Sequence, residues 1–192
     1  MNIPIFPLAI YLLPGGITRL RIFEQRYISM VKNMNTTQGF VISYYQKDKQ
    51  HHISEWGSWV DLVNFELGDD NILVIDVKCK GLVKIEKSEH LEDKLLWGDV
   101  VPITHWADKK ITISDLEVSG ALKQVFEDNL HLSEVYQNKF DDDLSWVCAR
   151  WVELLPIDFT LKTAFIQEYS FEQALGFLKN LLHENTVSTA ER

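Results

Sequence analysis

The spacing of apolar residues changes once along the chain, and this change limits the possible folds more than any other feature. Before about residue 105 the apolar runs are short, rich in β-branched residues and separated by proline and glycine. After that point apolar residues recur at helical spacing. We therefore predict an α+β fold, with a β-rich subdomain over residues 1–106, a helical bundle over residues 107–185 and a frayed tail over residues 186–192.

The first subdomain is predicted to contain short strands and one helix, which together suggest a curled sheet or small barrel. Gly81 is expected to break the run that begins at residue 72, and residues 14–16 and 68–71 have turn composition. An apolar stripe that includes Met34 predicts a helix over residues 24–34. Strands are predicted over residues 3–6, 17–22, 40–45, 58–65, 72–77, 82–85 and 95–103.

The second subdomain is predicted to contain four helices. One covers residues 116–130, and a second covers residues 143–155 with Asp143 as its N-cap. Asp158 is expected to cap a short third helix. Ser170 and Gln173 match a capping box at the start of the fourth. Because each apolar stripe needs a partner, the helices should pack together as a bundle.

Motifs for catalysis or cofactor binding are not found in the sequence. No glycine is followed by lysine, which excludes a phosphate-binding P-loop, and no G-x-S-x-G or H-E-x-x-H is present. His51 and His52 are adjacent, and we interpret them as loop residues because metal sites need three or four converging ligands. Cys79 and Cys148 lie far apart and are predicted to be free buried thiols. We expect no enzyme activity, no cofactor and no metal.

The chain carries a net charge of −9, with 28 acidic and 19 basic residues. Such a surface repels phosphate backbones unless its lysines and arginines cluster, and no basic run is present. No apolar stretch approaches the length of a membrane span, and the first residues lack the features of a signal peptide. We expect a cytoplasmic protein that binds neither nucleic acid nor membrane.

One set of motifs resembles a known family. The segment from Pro4 to Leu8, the pair Pro14-Gly15, and the run Leu20-Arg21-Ile22-Phe23-Glu24-Gln25-Arg26-Tyr27 with Met30 are similar to the opening pattern of the Lon protease N-terminal domain. Residues 57–62 and the segment 151–157 also match that family in order. The resemblance covers residues 3 to about 182.

This resemblance implies a PUA-like β pseudo-barrel followed by a helical bundle. In Lon proteases the domain engages protein substrates, and the ATPase and serine–lysine protease modules follow it. We expect this chain to be a stand-alone, non-catalytic relative that binds unfolded or extended polypeptides or a partner protein, or that acts as an adaptor. The oligomeric state stays open.

Most residues of the family pattern are expected to have structural roles. Pro14 and Gly15 turn the chain, Phe23 lies in the core, and Glu24 favours a helix start. Arg26 is expected to pair with an acid or a carbonyl and so hold the helix to the sheet. The pattern residues that we assign to structure are Pro7, Pro14, Gly15, Phe23, Glu24, Arg26, Tyr27 and Met30.

The binding surface is expected among exposed aromatic residues. If Val60 and Leu62 face the core, strand alternation exposes Trp59, although a loop or the helical subdomain could cover it. Free sheet edges could also accept an extended peptide. The candidate binding residues are Trp59, Trp56, Tyr44, Tyr45 and Asp61. Two alternatives stay open: an RNA-binding PUA-like module, and a small enzyme with a pocket between the subdomains.

Overall fold

The computed structural model describes residues 1–33, 38–68 and 72–190, with side chains described as far as residue 183. Its internal contacts divide the chain into two compact units, Met1–Ile103 and Thr104–Arg192. The sequence placed this boundary after residue 106. The fold is α+β, as predicted.

Unit 1 contains six strands and one long helix in the described residues. Strand β3 is joined to β4 through a short 3₁₀ turn, Gln50–His52. The elements are β1 (Asn2–Leu8), β2 (Ile17–Ile22), α1 (Gln25–Asn33), β3 (Phe40–Tyr44), β4 (Trp56–Leu67), β5 (Leu73–His90) and β6 (Leu96–Ile103).

The six strands form one sheet that closes on itself. Their order is β2-β5-β4-β3-β1-β6, and the first half of β6 pairs with both β1 and β5. Closure is possible because β5 is long: its first part pairs with β2 and its last part pairs with β6. Strands β1 and β3 pair in parallel, which requires the intervening β2 and α1 as a crossover. The result is a pseudo-barrel with β2 as an added edge strand.

The interior of this pseudo-barrel is apolar. A cluster of fully buried side chains joins β1, β3, β5 and β6, and Trp59 and Ile85 pack against it from partly buried positions. Both faces of β1 and β3 are covered, because successive residues are buried over positions 3–6 of β1 and 40–43 of β3. The cluster consists of Ile3, Ile5, Val41, Ile53, Val83, Leu96 and Val100.

Strand β5 differs from the sequence prediction, which ended a strand before Gly81. It is continuous from Leu73 to His90 because Gly81 pairs with Trp59 of β4. The register skips Lys80, so the irregularity is a β-bulge and not a strand end. Met34, predicted at the end of the first helix, lies outside the described residues. Of the predicted turn over residues 68–71, only Gly68 is described, and its N–H donates to Ile72 O at 2.9 Å.

Unit 2 is helical. The sequence predicted one helix over residues 116–130, and the structure has two, because Asn129 adopts an extended conformation and its side chain caps the second. The elements are α2 (Leu116–Asp128), α3 (Leu130–Val135), α4 (Leu144–Leu154), α5 (Phe159–Ala164) and α6 (Phe171–Ala190). The predicted tail over residues 186–192 coincides with the last turns of α6 and with two residues outside the described range.

Helix caps follow the sequence in two of three cases. Asp143 accepts hydrogen bonds from Ser145 N–H and Trp146 N–H, and Asp158 accepts one from Thr160 N–H, as predicted. The capping box at Ser170 is wrong. Its hydroxyl instead donates to Gln167 O at 2.7 Å and accepts from Trp106 Nε1 at 3.0 Å.

Helix α4 forms the centre of unit 2. All its residues from Leu144 to Val152 are buried, and it contacts both α2 and α6. The fully buried Arg150 forms a bidentate ion pair with Glu153 through its Nε and Nη2 atoms. Trp151 Nε1 donates to Val118 O at 2.9 Å and so ties α4 to α2. Among the described residues, no helix is both long enough and apolar enough to cross a membrane.

Candidate functional site

Trp59 is not the exposed anchor that strand alternation suggested. Its ring is partly buried against the apolar interior of unit 1. The Nζ atom of Lys80 lies 4.1 Å from the ring centroid, and Trp59 Nε1 donates to Gln38 O at 2.7 Å. Lys80 is placed there because it is the bulged residue of β5. A cation and a carbonyl therefore already occupy the groups that a partner would use.

Asp61 belongs to the same group of side chains. Lys80 Nζ donates to Asp61 Oδ1 at 2.6 Å while it covers Trp59. The structure thus brings together two of the predicted binding residues, Trp59 and Asp61. It brings them together through an ion pair and a cation–π contact that stabilise the β4–β5 pairing.

The other predicted aromatic residues differ in how far they are exposed to solvent. Trp56 is buried, with its ring edge-on to Tyr11 at 5.5 Å, so its prediction as a surface contact is wrong. Trp56 is the first residue of β4, and its side chain faces the interior. The residues before it show no clear apolar alternation, so the sequence did not predict this burial. Tyr44 is half-buried. Tyr45 is 46% exposed, with His52 packed 5.5 Å from its ring.

An exposed apolar surface of the sheet lies where the sequence did not place a site, at the end of β4. Val63, Phe65 and Leu67 are 52%, 67% and 67% exposed. Large apolar side chains that are exposed together commonly mark an interaction surface. Phe23, which follows the end of β2, is 74% exposed. It lies at the same end of the sheet as Leu67, because Ile22 and Leu67 both pair with Leu73. We call Phe23, Val63, Phe65 and Leu67 the apolar tip.

A register shift explains why the tip is apolar and exposed. The pairing of β4 with β5 skips Val63, so Phe65 and Leu67 pair with Ile75 and Leu73. Directly paired residues share a sheet face, so Phe65 lies on the same face as buried Ile75. The buried face that carries Val60 and Ile75, opposite to the Trp59 side, therefore continues past the covered part of the sheet. Strict alternation from Val60 would have put Phe65 on the opposite face.

The backbone at the tip also has an unpaired edge. Strand β3 pairs with β4 only from Ser58 to Val60. Beyond Val60, no strand within the described ranges pairs with that side of β4. Such an edge presents a row of hydrogen-bonding groups to any extended chain. The bulge at Val63 leaves Asn64–Leu67 as its regular part.

Among the residues of the family pattern, Tyr27 and Met30 lie in the interior as predicted, whereas Phe23 does not. Tyr27 and Met30 are buried, and Tyr27 stacks on Phe6 with ring centroids 3.7 Å apart. Burial raises the pKa of Tyr27. The exception is Phe23, predicted as core. It is exposed because β2 ends with buried Ile22 and the next side chain leaves the sheet.

Arg26 links helix α1 to the turn between β5 and β6. Its Nη2 lies 2.8 Å from Glu24 Oε2, and its Nη1 donates to Lys94 O at 3.2 Å. Both an acid and a carbonyl are therefore bound, as the sequence predicted. Gly15 adopts a φ of 82° in the predicted turn and donates to Cys79 O at 2.8 Å.

The side chains of Cys79, Cys148 and His105 could take part in chemistry, but Cys79 and Cys148 are packed in the interior and His105 is partly buried. Cys79 and Cys148 are free and buried, as predicted, and burial raises the pKa of Cys148 to about 12. Burial also lowers the pKa of His105 to about 4, and its Nε2 is hydrogen bonded to Phe165 O. No cluster of three or more histidine, cysteine, aspartate or glutamate side chains that could hold a metal occurs in the described parts of the chain.

Comparison with known proteins identifies the family. A family model described as the ATP-dependent protease La (LON) substrate-binding domain matches residues 2–183, nearly the whole chain. The chain belongs to this family. The match spans both units, so the pseudo-barrel and the helical region together correspond to one Lon substrate-binding domain. No curated protein matches the chain significantly.

Solved structures with the Lon fold resemble this one. A Lon N-terminal domain protein from Xanthomonas campestris is 23% identical, with a TM-score of 0.69, and the alignment covers 92% of this chain and 98% of that one. The N-terminal domain of the Mycobacterium avium complex Lon protease is 12% identical, with a TM-score of 0.63 and coverage of 95% and 98%. At these identities the likeness establishes the Lon N-terminal fold.

Proposed function

We propose that this Lon substrate-binding domain binds polypeptides that expose apolar segments, and that it does so at the apolar tip without catalysing a reaction. The family supports substrate binding. The observation that carries the choice of surface is the exposure of Phe65 and Leu67 on the sheet face where Ile75 and Val77 are fully buried. Folded proteins hide such segments, so the surface favours unfolded or extended clients.

Two kinds of contact are available to such a client. The rings and branched chains of the tip offer apolar area, with each fully buried large side chain contributing roughly 1.5–3 kcal/mol. The open edge of β4 offers backbone groups over Asn64–Leu67, which an extended segment can use as an added strand. Apolar contact gives little sequence selectivity, so the domain would accept many clients and could serve as an adaptor.

The test is a binding titration with an unfolded protein. Reduced and carboxymethylated α-lactalbumin, which cannot refold, is titrated against the purified chain, with native α-lactalbumin in parallel. Replacing the two exposed side chains together, Phe65→Ser and Leu67→Ser, should weaken binding of the unfolded form about tenfold or more, because about 2 kcal/mol of apolar contact is lost. Circular dichroism checks that the fold is kept.

The matched control replaces two apolar residues of unit 2 that are even more exposed, Ile113→Ser and Leu130→Ser, at 90% and 78%. This variant should bind the unfolded form as the original chain does. Equal weakening by both variants, or equal binding of native and unfolded α-lactalbumin, would contradict the proposal. Hydrolysis of ATP or of a casein substrate by the purified chain would contradict its non-catalytic part.

A further inference from the structure

The backbone of β4 alternates in direction within the apolar tip. Gly68 N–H donates to Ile72 O at 2.9 Å, so this pair of residues is hydrogen bonded at the end of the β4–β5 ladder. Hydrogen-bonded and non-hydrogen-bonded pairs alternate along an antiparallel ladder, and the register does not change after the second bulge of β4. Glu66 therefore directs its N–H and C=O groups to β5, whereas Phe65 and Leu67 direct theirs to the open edge.

The groups on this open edge are available to a partner. The side chains of residues 63–67 are all exposed, and no described strand pairs with this side of β4 beyond Val60. Natural sheet edges are commonly protected by lysine, by proline or by a covering segment. The segment Asn64–Leu67 contains neither lysine nor proline. Its two outward N–H and two outward C=O groups therefore form a template for one more strand.

The two faces of this template differ in character. Phe65 and Leu67 project on one face and Glu66 projects on the other, because successive side chains of a strand alternate. Strand β4 contains two acidic residues, Asp61 and Glu66, and no basic residue. Lys80 pairs with Asp61 at 2.6 Å, whereas no hydrogen bond or ion pair from the described side chains engages the carboxylate of Glu66. One face of the template is apolar, and the other carries a negative charge that is not compensated.

A strand added to the template meets both faces at fixed positions. The residues opposite Phe65 and Leu67 lie beside an apolar side chain, and the residue between them lies beside Glu66. Apolar pairs and pairs of opposite charge stabilise directly opposed positions of a sheet, and like charges destabilise them. A segment with an apolar, a basic and an apolar residue in succession therefore complements the edge in backbone, in apolar contact and in charge.

We propose that the apolar tip binds its client as an added antiparallel strand in which apolar residues alternate with lysine or arginine. In the antiparallel direction, the two apolar client residues exchange both backbone hydrogen bonds with Phe65 and Leu67. The inference rests on the proposed function for the site, and it adds the conformation and the sequence pattern of the client. Apolar contact alone would accept a helix or a collapsed chain equally well.

The first test is a peptide titration followed by ¹H–¹⁵N correlation spectra. The probe is acetyl-Lys-Val-Lys-Val-Lys-amide, and its comparator is acetyl-Lys-Lys-Lys-Val-Val-amide, which has the same composition and charge without the alternation. The probe should shift the amide signals of Phe65 and Leu67 and slow their hydrogen exchange. The exchange of the Glu66 amide, which is already bonded to β5, should change little. The comparator should bind at least about threefold more weakly.

Methylation of peptide amides separates an added strand from apolar contact. In the proposed register the valine amides donate to the edge of β4, and the lysine amides point away from it. Methylation of both valine amides should therefore weaken the probe about tenfold or more, because two hydrogen bonds are lost. Methylation of the amides of the last two lysines removes the same number of donors and should leave binding unchanged.

Variants of the chain test the same edge. Leu67→Pro removes one outward N–H but no hydrogen bond to β5, and Leu67→Ala is its control, because both lose the leucine side chain. We expect Leu67→Pro to bind the probe about threefold to tenfold more weakly than Leu67→Ala. Glu66→Gln should weaken the probe about twofold to fivefold. Glu127→Gln makes the same change of charge at an exposed position of unit 2 and should have no effect.

Three results would overturn the inference. One is that the probe does not bind, or that its two methylated forms bind alike. Another is equal binding of the probe by Leu67→Pro and Leu67→Ala. The third is equal weakening by Glu66→Gln and Glu127→Gln, which would indicate attraction to net charge alone. If the methylated forms bind alike while Phe65→Ser with Leu67→Ser still weakens binding of unfolded α-lactalbumin, the proposed function stands without the added strand.

Discussion

Gly39 holds the chain in a left-handed conformation beside strand β4. Its φ is 65°, and a Cβ atom added there would collide with the carbonyl oxygen of Val60. Both effects penalise any side chain, since the left-handed region is strained for alanine and the carbonyl belongs to a paired strand. We expect Gly39→Ala to lower the free energy of unfolding by about 2–4 kcal/mol, measured by urea denaturation.

Gly120 provides the matched control for this substitution. It lies inside helix α2, and a Cβ atom added there meets no other atom within 4 Å. Glycine is a poor helix former because its unfolded chain is more flexible, so Gly120→Ala should raise the free energy of unfolding by about 0.5–1 kcal/mol. A loss of stability at both positions would show that the Gly39 effect does not come from its backbone conformation.

Single residues were predictable from sequence where a local rule applies. Asp143 and Asp158 cap helices because the capping bond involves residues two or three positions away. Tyr27 and Met30 were predictable because they lie on one helix face. Trp56 and Phe23 were not, because their burial depends on which residues lie across the sheet and on where a strand ends.

Two elements of unit 2 are joined through Asp115, at the end of the 3₁₀ turn that precedes α2. Its carboxylate is buried, accepts from Lys179 Nζ of α6 at 2.7 Å and accepts from both N–H and Oγ1 of Thr112. Burial by itself raises the pKa of Asp115, but the hydrogen bonds from Lys179 and Thr112 outweigh it and lower the pKa to about 2. The charged form is therefore the one that the fold binds.

This pKa makes the stability of the fold depend on pH. Since the folded value of about 2 lies below the ordinary value of 3.8, Asp115 stabilises the fold fully above pH 3.8, and this contribution is lost as pH falls towards 2. We expect Asp115→Asn to cost roughly 1.5–3 kcal/mol at pH 7, because buried hydrogen bonds to a charge are removed. Denaturation curves should show a smaller difference between the two proteins at pH 3 than at pH 7.

A stability difference that does not change with pH would contradict this assignment. If the difference between the original chain and Asp115→Asn stayed constant from pH 7 to pH 3, the carboxylate would not be held in its charged form. Thr112→Val should remove part of the same effect, since it deletes only the hydroxyl donor. Ser114, whose hydroxyl also lies near Asp115 but is exposed, serves as the control in Ser114→Ala.

At the level of elements, sequence periodicity located most strands and helices but not their irregularities. Strand β2 was predicted with its observed bounds, because its apolar run is bordered by a glycine turn and a helix start. The bulges at Val63 and Lys80 were not predictable, since a bulge is a property of the pairing of two strands. Both bulges matter for the candidate site: one exposes the apolar tip, and the other places Lys80 over Trp59.

At the level of the whole chain, the closure of the sheet was beyond sequence reasoning. Several short strands indicated a barrel or curled sheet, but the parallel pairing of β1 with β3 and the double pairing of β6 involve residues far apart in the chain. Only the resemblance to the Lon N-terminal domain pointed to this arrangement. The structure shows these pairings, and the family match covers residues 2–183.

The charge of the whole chain leads to a final prediction, about RNA. Binding to nucleic acid requires clustered lysines and arginines that displace counterions from phosphates, whereas this chain has a net charge of −9. Its densest basic stretch lies along β5, where Lys80 is already paired with Asp61. We expect no shift of single-stranded or hairpin RNA in a gel assay at low salt, where electrostatic binding is strongest.

A shift that disappears as salt is added would instead show that the lysines of β5 form a phosphate-binding surface. The variant Lys84→Glu with Lys87→Glu should then abolish it, while Lys123→Glu with Lys139→Glu, which makes the same change of charge in unit 2, should not.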